Sequence, residues 1–402
     1  MYTLLMMVIF RLGANIPVPG IDKAQLASMF SGDDTILGFM NLMSGGAFKN
    51  VTLFALGISP YITASIIMNL LGMAIPYFEN LAKEGEAGRK KMAQFTRYGT
   101  VVLALIQAMG YSTTLYRNAF VEYNFLSVFL AVMTLTAGTA FLMYLGEKIT
   151  ENGIGNGISM FIFAGIIARL PGGIASTFLG LQSGNVTIIN VLVFVLIALL
   201  VIVAVIYIQQ GTRKIPVQYA KRVVGRKMYG GHSTHIPLKV NQSGVIPVIF
   251  AMSLLMFPQT IAQFFPTSGF NTFLSSYFGR TSIGYNILYV LLIIFFTYFY
   301  TSVTFNPVEV ADNMKKNGGF IPGIRPGKPT SEYLMRTLNR ITLAGAIFLA
   351  CIAVLPNTMF LFTGMNIAFG GTSLLIVVSV SLETMKQIEA QMVMRHYQGF
   401  LK

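Results

Sequence analysis

Three places in this chain carry residue types that could do chemistry. The first is a glycine- and proline-rich run, Gly318, Gly319, Pro322, Gly323, Pro326 and Gly327, around Arg325. A phosphate-binding loop needs four residues between its glycines and a Ser or Thr after its lysine. Here three residues separate Gly323 from Gly327, and Pro329 follows Lys328. The run therefore reads as a rigid loop presenting one arginine to a partner. The second place is the His232/His235 pair, which has no acidic or cysteine neighbour to complete a metal-ligand set. The third is Cys351, the one cysteine. It excludes an intramolecular disulfide and a multi-cysteine metal site, and its apolar surroundings read as those of a small core residue. No catalytic group, metal or cofactor is expected from these three.

The segments that position them are apolar. Of 402 residues, 54% are hydrophobic and 10% charged, and runs such as Val191 to Ile208 carry no charged residue over nearly the length of a bilayer-spanning helix, about 20 residues. Ten spans are expected, near Met1–Phe10, Val51–Ile75, Tyr98–Tyr116, Phe125–Leu145, Ile154–Leu170, Thr187–Ile208, Val245–Phe265, Ile287–Phe305, Ile341–Leu355 and Ile367–Val380. Continuous runs without strand-like alternation imply helices, so the fold class is an all-α membrane protein. The opening run is too short for a full span, and the first helix is expected to be incomplete.

Lysine and arginine fix the orientation. They crowd into alternate loops, while the opposite side holds only Lys23, Lys49, Arg117, Arg169 and Arg280. Basic loops stay in the cytoplasm, so both termini are expected there. Two cytoplasmic loops, 209–242 and 306–340, are longer than a turn needs. The first carries seven basic residues and no acidic one, with strand-like stretches either side of Gly225 to Gly231. It reads as a basic hairpin for an anionic partner such as ribosomal RNA or an acidic motor surface; lipid headgroups are the alternative.

Short matches recur five spans apart. Gly57-Ile58-Ser59-Pro60 is echoed by Gly244-Val245-Ile246-Pro247, and Gly157-Ile158-Ser159 by Gly371-Thr372-Ser373, with isoleucine three residues on at Ile162 and Ile376. Five is odd, so two such halves must be inverted, as in many transport folds with a path at the repeat interface. Ile58 and Ile62, and Ile158 and Ile162, lie one turn apart on one helical face. They suit a pore lining, a lipid face or helix packing. Ionisable groups are nearly absent at membrane depth: Arg11, Glu147 and Glu383 fall near span ends. Coupled transport and intramembrane catalysis need such groups there, so a passive conduit driven by a partner is favoured. A small-solute transporter should instead show midplane coupling residues, and an intramembrane enzyme a catalytic dyad.

Several long stretches then carry a family resemblance: FALGISPYITASIIMNLL from Phe54, KEGEAGRKKMAQFTRYGT from Lys83, GEKITENGIGNGIS from Gly146, STHIPLKVNQSGVIPVIFA from Ser233, FNPVEVADNMKKNGGFIPGIRPG from Phe305 and FGGTSLLIVVSV from Phe369. The chain resembles the SecY/Sec61-alpha family of protein-conducting channels over essentially its whole length. The resemblance implies a clamshell of ten helices in two inverted five-helix halves, 1–170 and 187–384, joined by an external hinge at 171–186 and followed by a cytoplasmic tail, 385–402. It implies an apolar pore ring at Ile58, Ile62, Ile158, Ile162, Ile249 and Ile376. Such a ring would exclude water and ions yet part around an extended polypeptide.

The resemblance also implies an external plug within about 33–48, carrying Ile36, Leu37, Phe39, Met40, Leu42 and Met43, with Gly45 and Gly46 as its hinge. Asn69 becomes a candidate residue of a lateral gate between the second and seventh helices, or of an ordinary interhelical hydrogen bond. Arg222, Arg226, Lys227 and Arg325 fall in the partner-docking loops. The implied partners are SecE and SecG in a heterotrimer, the SecA ATPase, the ribosome, secretory polypeptides with their signal sequences, and membrane lipid, but no DNA. The implied location is the bacterial cytoplasmic membrane.

Overall fold

The apolar runs wind into helices because, in lipid, each backbone polar group must find its partner within its own segment. The computed structural model describes residues 1–22, 41, 44–184, 187–219, 222–224, 227–229, 233–263, 269, 282–363 and 371–399. In chain order the helices are α1 (Tyr2–Gly13), α2 (Ser59–Ala74), α3 (Pro76–Lys83), α4 (Glu86–Thr113), α5 (Phe125–Asn152), α6 (Gly157–Gln182) and α7 (Ile188–Gln210). After an intervening hairpin come α8 (Ile246–Gln263), α9 (Ile283–Thr304), α10 (Pro307–Lys316), α11 (Lys328–Thr363) and α12 (Gly371–Gly399). A helix overlaps each of the ten stretches read as spans. Among the described residues five helices, α5, α6, α7, α9 and α11, are long and apolar enough to cross a membrane. α1, α2 and the first part of α8 are apolar but shorter. α7 faces outward almost all round: Leu192, Leu196 and Leu199 are exposed, and only Val201 and Val205 are buried.

Helix starts follow local chemistry. Asn156 caps α6 by accepting from the amides of Ile158 (3.1 Å) and Ser159 (3.3 Å), and Asn306 does the same for α10, each satisfying donors that the first turn leaves free. The second span starts later than expected. Val51 to Gly57 runs as turns, and helix begins only at Ser59. Gly57 sits at φ +57° and Val51 at φ +40°, left-handed values that a right-handed helix cannot absorb. Helix also continues past the expected ends, through Pro171 to Gln182 in α6 and to Gly399 in α12. Cys351 corrects the core assignment: it is exposed on α11, since an apolar side chain on a membrane helix is equally at home facing lipid.

The first half of the chain packs in a tight chain of neighbours, α2 on α4, α4 on α5, α5 on α6. The second does likewise, α8 on α9, α9 on α11, α7 and α11 on α12. The groups meet along two seams, α2 with α8 and α6 with α12. These are the four helices that carry the short internal matches.

The two long loops build one small sheet. β1 (Thr212–Tyr219) pairs antiparallel with β4 (Ser233–Lys239), Thr212 opposite Lys239 and Gln218 opposite Ser233. β2 (Arg222–Val224) and β3 (Lys227–Tyr229) pair with each other further out. β5 (Gly319–Phe320), from the second loop, adds to the free edge of β1. Ile215, Val217, Leu238, Met314, Ile321 and Leu334 form a core beneath this sheet. Burial alternates along β1, as a sheet with one covered face requires.

Candidate functional site

Ile62 on α2, Ile162 on α6, Ile249 on α8 and Ile376 on α12 are between 1% and 8% exposed and belong to one apolar cluster. Ile58, at the cap of α2, is buried in the same cluster, and Ile158 packs against it half-buried. Five of the six ring candidates are thus buried members of one extended apolar cluster, which runs over both halves of the chain, and the sixth packs against it. The cluster is wider than the sequence reading: Ile66 and Ile166, each one turn beyond a ring candidate, belong to it, as do Phe10, Phe54 and Phe161. Phe10 lies 6.0 Å from Phe54 and 5.0 Å from Phe161, centroid to centroid. Those aromatics had no spacing signal, because Phe54 comes from turns and Phe10 from a different helix.

Small residues hold the frame close. A Cβ on Gly157 would lie 2.0 Å from the carbonyl oxygen of Gly146, so the start of α6 touches the backbone of α5. The amide of Gly157 also donates to Thr150 Oγ1 at 3.0 Å. On the α6/α12 seam, the amide of Gly155 donates to Gln387 Oε1 at 2.5 Å, and Thr384 Oγ1 lies 3.5 Å from the sulfur of Met160.

The α2/α8 seam is different. Ser59 and Thr63 of α2, Gln107 and Tyr111 of α4, and Ser253 of α8 line a cleft of about 20 Å³, room for one water molecule. Gln107 Oε1 is buried there without a hydrogen-bond partner among the described residues. Asn69, the gate candidate, is exposed near the end of α2; the cleft residues lie at that helix's other end and were missed. Their signal was present in Ser59 and Thr63, polar side chains one turn apart.

Arg11 of α1 donates from Nη1 to the carbonyl of Gly45 at 3.0 Å, where Gly45 and Gly46 take φ +65° and +94°. The plug candidates Ile36, Leu37, Phe39, Met40, Leu42 and Met43 lie outside the described residues, as does Arg226. Arg222 and Lys227 sit on β2 and β3. Arg325 is exposed between Gly323 and Gly327, at φ +82° and +101°, and its carbonyl accepts from Thr330 Oγ1 at 2.9 Å. The loop thus holds its arginine outward on a fixed backbone.

Known proteins match this chain closely. The SecY family model matches residues 52–385. The protein translocase subunit SecY of Halalkalibacterium halodurans is 52% identical over 415 residues, covering 100% of this chain and 96% of the relative. That of Bacillus subtilis is 48% identical over 413 residues, covering 100% and 95%. A solved SecY, in which the plug domain stabilises the closed state of the translocation channel and maintains a membrane seal, aligns with a TM-score of 0.66 at 21% identity, covering 98% of this chain and 91% of its own. The Sec61 of a canine ribosome-channel complex aligns with a TM-score of 0.60 at 20% identity, covering 98% and 91%. The structural likeness is one of fold, and with the family match and the sequence identity of full-length relatives it settles membership: the chain belongs to the SecY family.

Proposed function

We propose that this protein is the pore-forming subunit of a protein translocase, a multi-pass membrane channel and not an enzyme. Unfolded secretory polypeptides cross through it, and membrane segments leave it sideways into lipid. The observation that supports this reading is that five of the six candidate isoleucines, drawn from four helices, are buried in one extended apolar cluster and the sixth packs against it. An aliphatic waist repels ions by dewetting and does not select among polypeptides, since it offers them no hydrogen bonds.

In this reading all ten apolar helices cross the bacterial cytoplasmic membrane, with both termini cytoplasmic. Residues 1–170 and 187–384 are inverted halves that hinge about 171–186 along the α6/α12 seam and part along α2/α8, with Asn69 at the gate. Residues 33–48 are the plug. The sheet that joins the two basic loops is the docking platform, and Arg222, Arg226, Lys227 and Arg325 are the residues through which it binds the SecA ATPase or the ribosome, ribosomal RNA included. SecE and SecG complete the heterotrimer. Contact with a ribosome is supported by the Sec61 and Ssh1 relatives solved in ribosome complexes.

Single cysteines test the path. In a Cys351→Ser background, Ile62→Cys and Ile249→Cys are expected to form disulfides with a cysteine in a stalled secretory chain, whereas Leu196→Cys on the lipid face of α7 is not. A translocating chain that crosslinks elsewhere but never at Ile62 or Ile249 would overturn the ring and reopen the small-solute transporter.

A further inference from the structure

The segment that leads into the second span is folded around one side chain. Asn41, 3% exposed, accepts at its carbonyl from the Gly46 amide (2.8 Å) and from Ser44 Oγ (3.1 Å), and at Oδ1 from the Lys49 amide (3.0 Å). The far end of this turn is held from elsewhere. Thr52 Oγ1 donates to the carbonyl of Ala47 at 3.3 Å, and the Phe48 ring packs edge-on against Tyr111 with centroids 5.6 Å apart. Ala47 belongs to the cluster of the ring candidates and Phe48 to a second cluster built around α4 and α5. A shift of the turn is therefore felt in both.

The near end, Gly45 and Gly46, has no side chain by which to be held. Both glycines stand at positive φ, a conformation that glycine enters and leaves without steric cost. On one side of Gly45 lies the backbone of α6: a Cβ at Gly45 would stand 3.1 Å from the Cα of Gly165. On the other side lies Arg11, whose Nη1 donates to the Gly45 carbonyl at 3.0 Å. Arg11 is the one charged residue of α1 and sits in its last turn. A charge in so apolar a helix is unfavourable unless its donors are used, and this one is used on the backbone of the turn. Asn15 Nδ2 donates to the Arg11 carbonyl at 2.8 Å and fixes the end of α1 from which the guanidinium reaches out.

We propose that Arg11 is a positioning residue of the channel: its guanidinium moors the turn 44–48 to α1 through the Gly45 carbonyl, and that hydrogen bond sets how readily the near end of the turn leaves α6. Both anchors, α1 and α6, begin within the first half of the chain, so the turn stays with that half when the α2/α8 seam parts. The inference rests on the reading of residues 33–48 as the plug, whose root this turn is. The mooring itself is a local equilibrium, measurable with no translocating chain present.

The test is hydrogen exchange, read by mass spectrometry, on the full chain with its membrane partners in lipid nanodiscs. The parent is compared with Arg11→Met, which keeps an unbranched stem but no donor, and with Arg11→Lys, which keeps a cationic donor. Arg11 is exposed, so its bond takes an ordinary net value, a factor of roughly 2 to 10 in such an equilibrium. The Gly46 and Lys49 amides, which depend on Asn41, should exchange faster by that factor in Arg11→Met and at an intermediate rate in Arg11→Lys. The amides of Thr52 and Leu53, bonded to the carbonyls of Ala47 (3.1 Å) and Ile16 (2.9 Å), should not change. Unaltered exchange at Gly46 and Lys49, equal acceleration at Thr52 and Leu53, or no difference between the Met and Lys variants would overturn the proposal. So would a change confined to the Ala14 and Asn15 amides, which would assign Arg11 to the dipole of α1 instead. Ion flux through the same variants in proteoliposomes separates the mooring from the reading it rests on: if Arg11→Met loosens the turn yet the idle channel stays tight, the mooring stands and the plug assignment falls.

Discussion

Ile62→Asn tests the seal quantitatively. Ile62 is 5% exposed and packed in the apolar cluster, so an amide placed there loses water without gaining a partner. An unsatisfied buried polar group costs about 1–3 kcal/mol. On the proposed reading that penalty falls on the closed waist and is relieved when the waist wets. The closed-to-wetted ratio should therefore fall by roughly 5- to 150-fold, the population shift corresponding to that free energy. The assay is ion flux through purified channels in proteoliposomes without a translocating chain, where the parent should be tight and the variant should leak. Ile66→Asn is the discriminating control. Ile66 is equally buried, at 4%, in the same cluster one turn on, and should destabilise the protein without opening a path. Equal leaks from both variants, or none from Ile62→Asn, would refute a waist at this level.

Gly157→Ala should be poorly tolerated: the new methyl meets the Gly146 carbonyl at 2.0 Å, a backbone contact that cannot rotate away. Overpacking of this kind costs about 1–3 kcal/mol, measurable as a lower Tm in detergent. Leu238→Ala removes a side chain with 0% exposure from the core beneath β1, β4 and β5 and should cost about 2–5 kcal/mol locally. Limited proteolysis should then cut within 209–242 while the membrane helices survive. Arg97→Ala breaks a 2.8 Å pair with Glu147 whose arginine is 44% exposed, and should change stability by no more than about 1 kcal/mol. Gln107→Leu should make signal-driven opening harder, for reasons that close this Discussion.

The basic hairpin was legible because strand-like stretches flank a glycine-rich one; the ring candidates were read from isoleucines one turn apart in two helices, from the repeated Gly-x-Ser-x-x-Ile spacing and, for Ile249, from the family resemblance alone. The β5–β1 pairing was not legible. Two residues, Gly319 and Phe320, carry no alternation, and their partner lies about a hundred positions earlier; long-range pairing of so short a strand is decided by the core beneath it. Burial within the membrane was also hidden. In water an apolar residue announces an interior position, but lipid is as apolar as leucine, so Cys351 and Val201 look alike in sequence although one is exposed and the other buried. The late start of α2 was written in Gly57, yet a glycine alone does not say that its φ will be positive.

The two seams differ in a way that fits the proposal that one hinges and the other opens. Along α6/α12 the contact is apolar packing around Ile162 and Ile376, reinforced by the Gly155–Gln387 hydrogen bond. Along α2/α8 the cleft is lined by Ser59, Thr63, Gln107, Tyr111 and Ser253 together with Met256 and Phe257, and Gln107 Oε1 is buried without a hydrogen-bond partner among the described residues. A buried unsatisfied acceptor weakens the state that buries it, by about 1–3 kcal/mol when no water serves it. Parting α2 from α8 returns that acceptor to solvent or to an incoming segment. On the proposed reading the closed α2/α8 gate therefore carries a penalty when no water serves Gln107, and the α6/α12 seam has no such unpaired side-chain acceptor among the described residues. Gln107→Leu removes the penalty and leaves an apolar side chain that prefers the closed seam. Translocation of substrates with weakly hydrophobic signal sequences should then fall several-fold, while strongly hydrophobic signals, which bring more free energy to the seam, still open it. If both classes respond alike, or neither does, the polarity of this seam does not set the opening threshold.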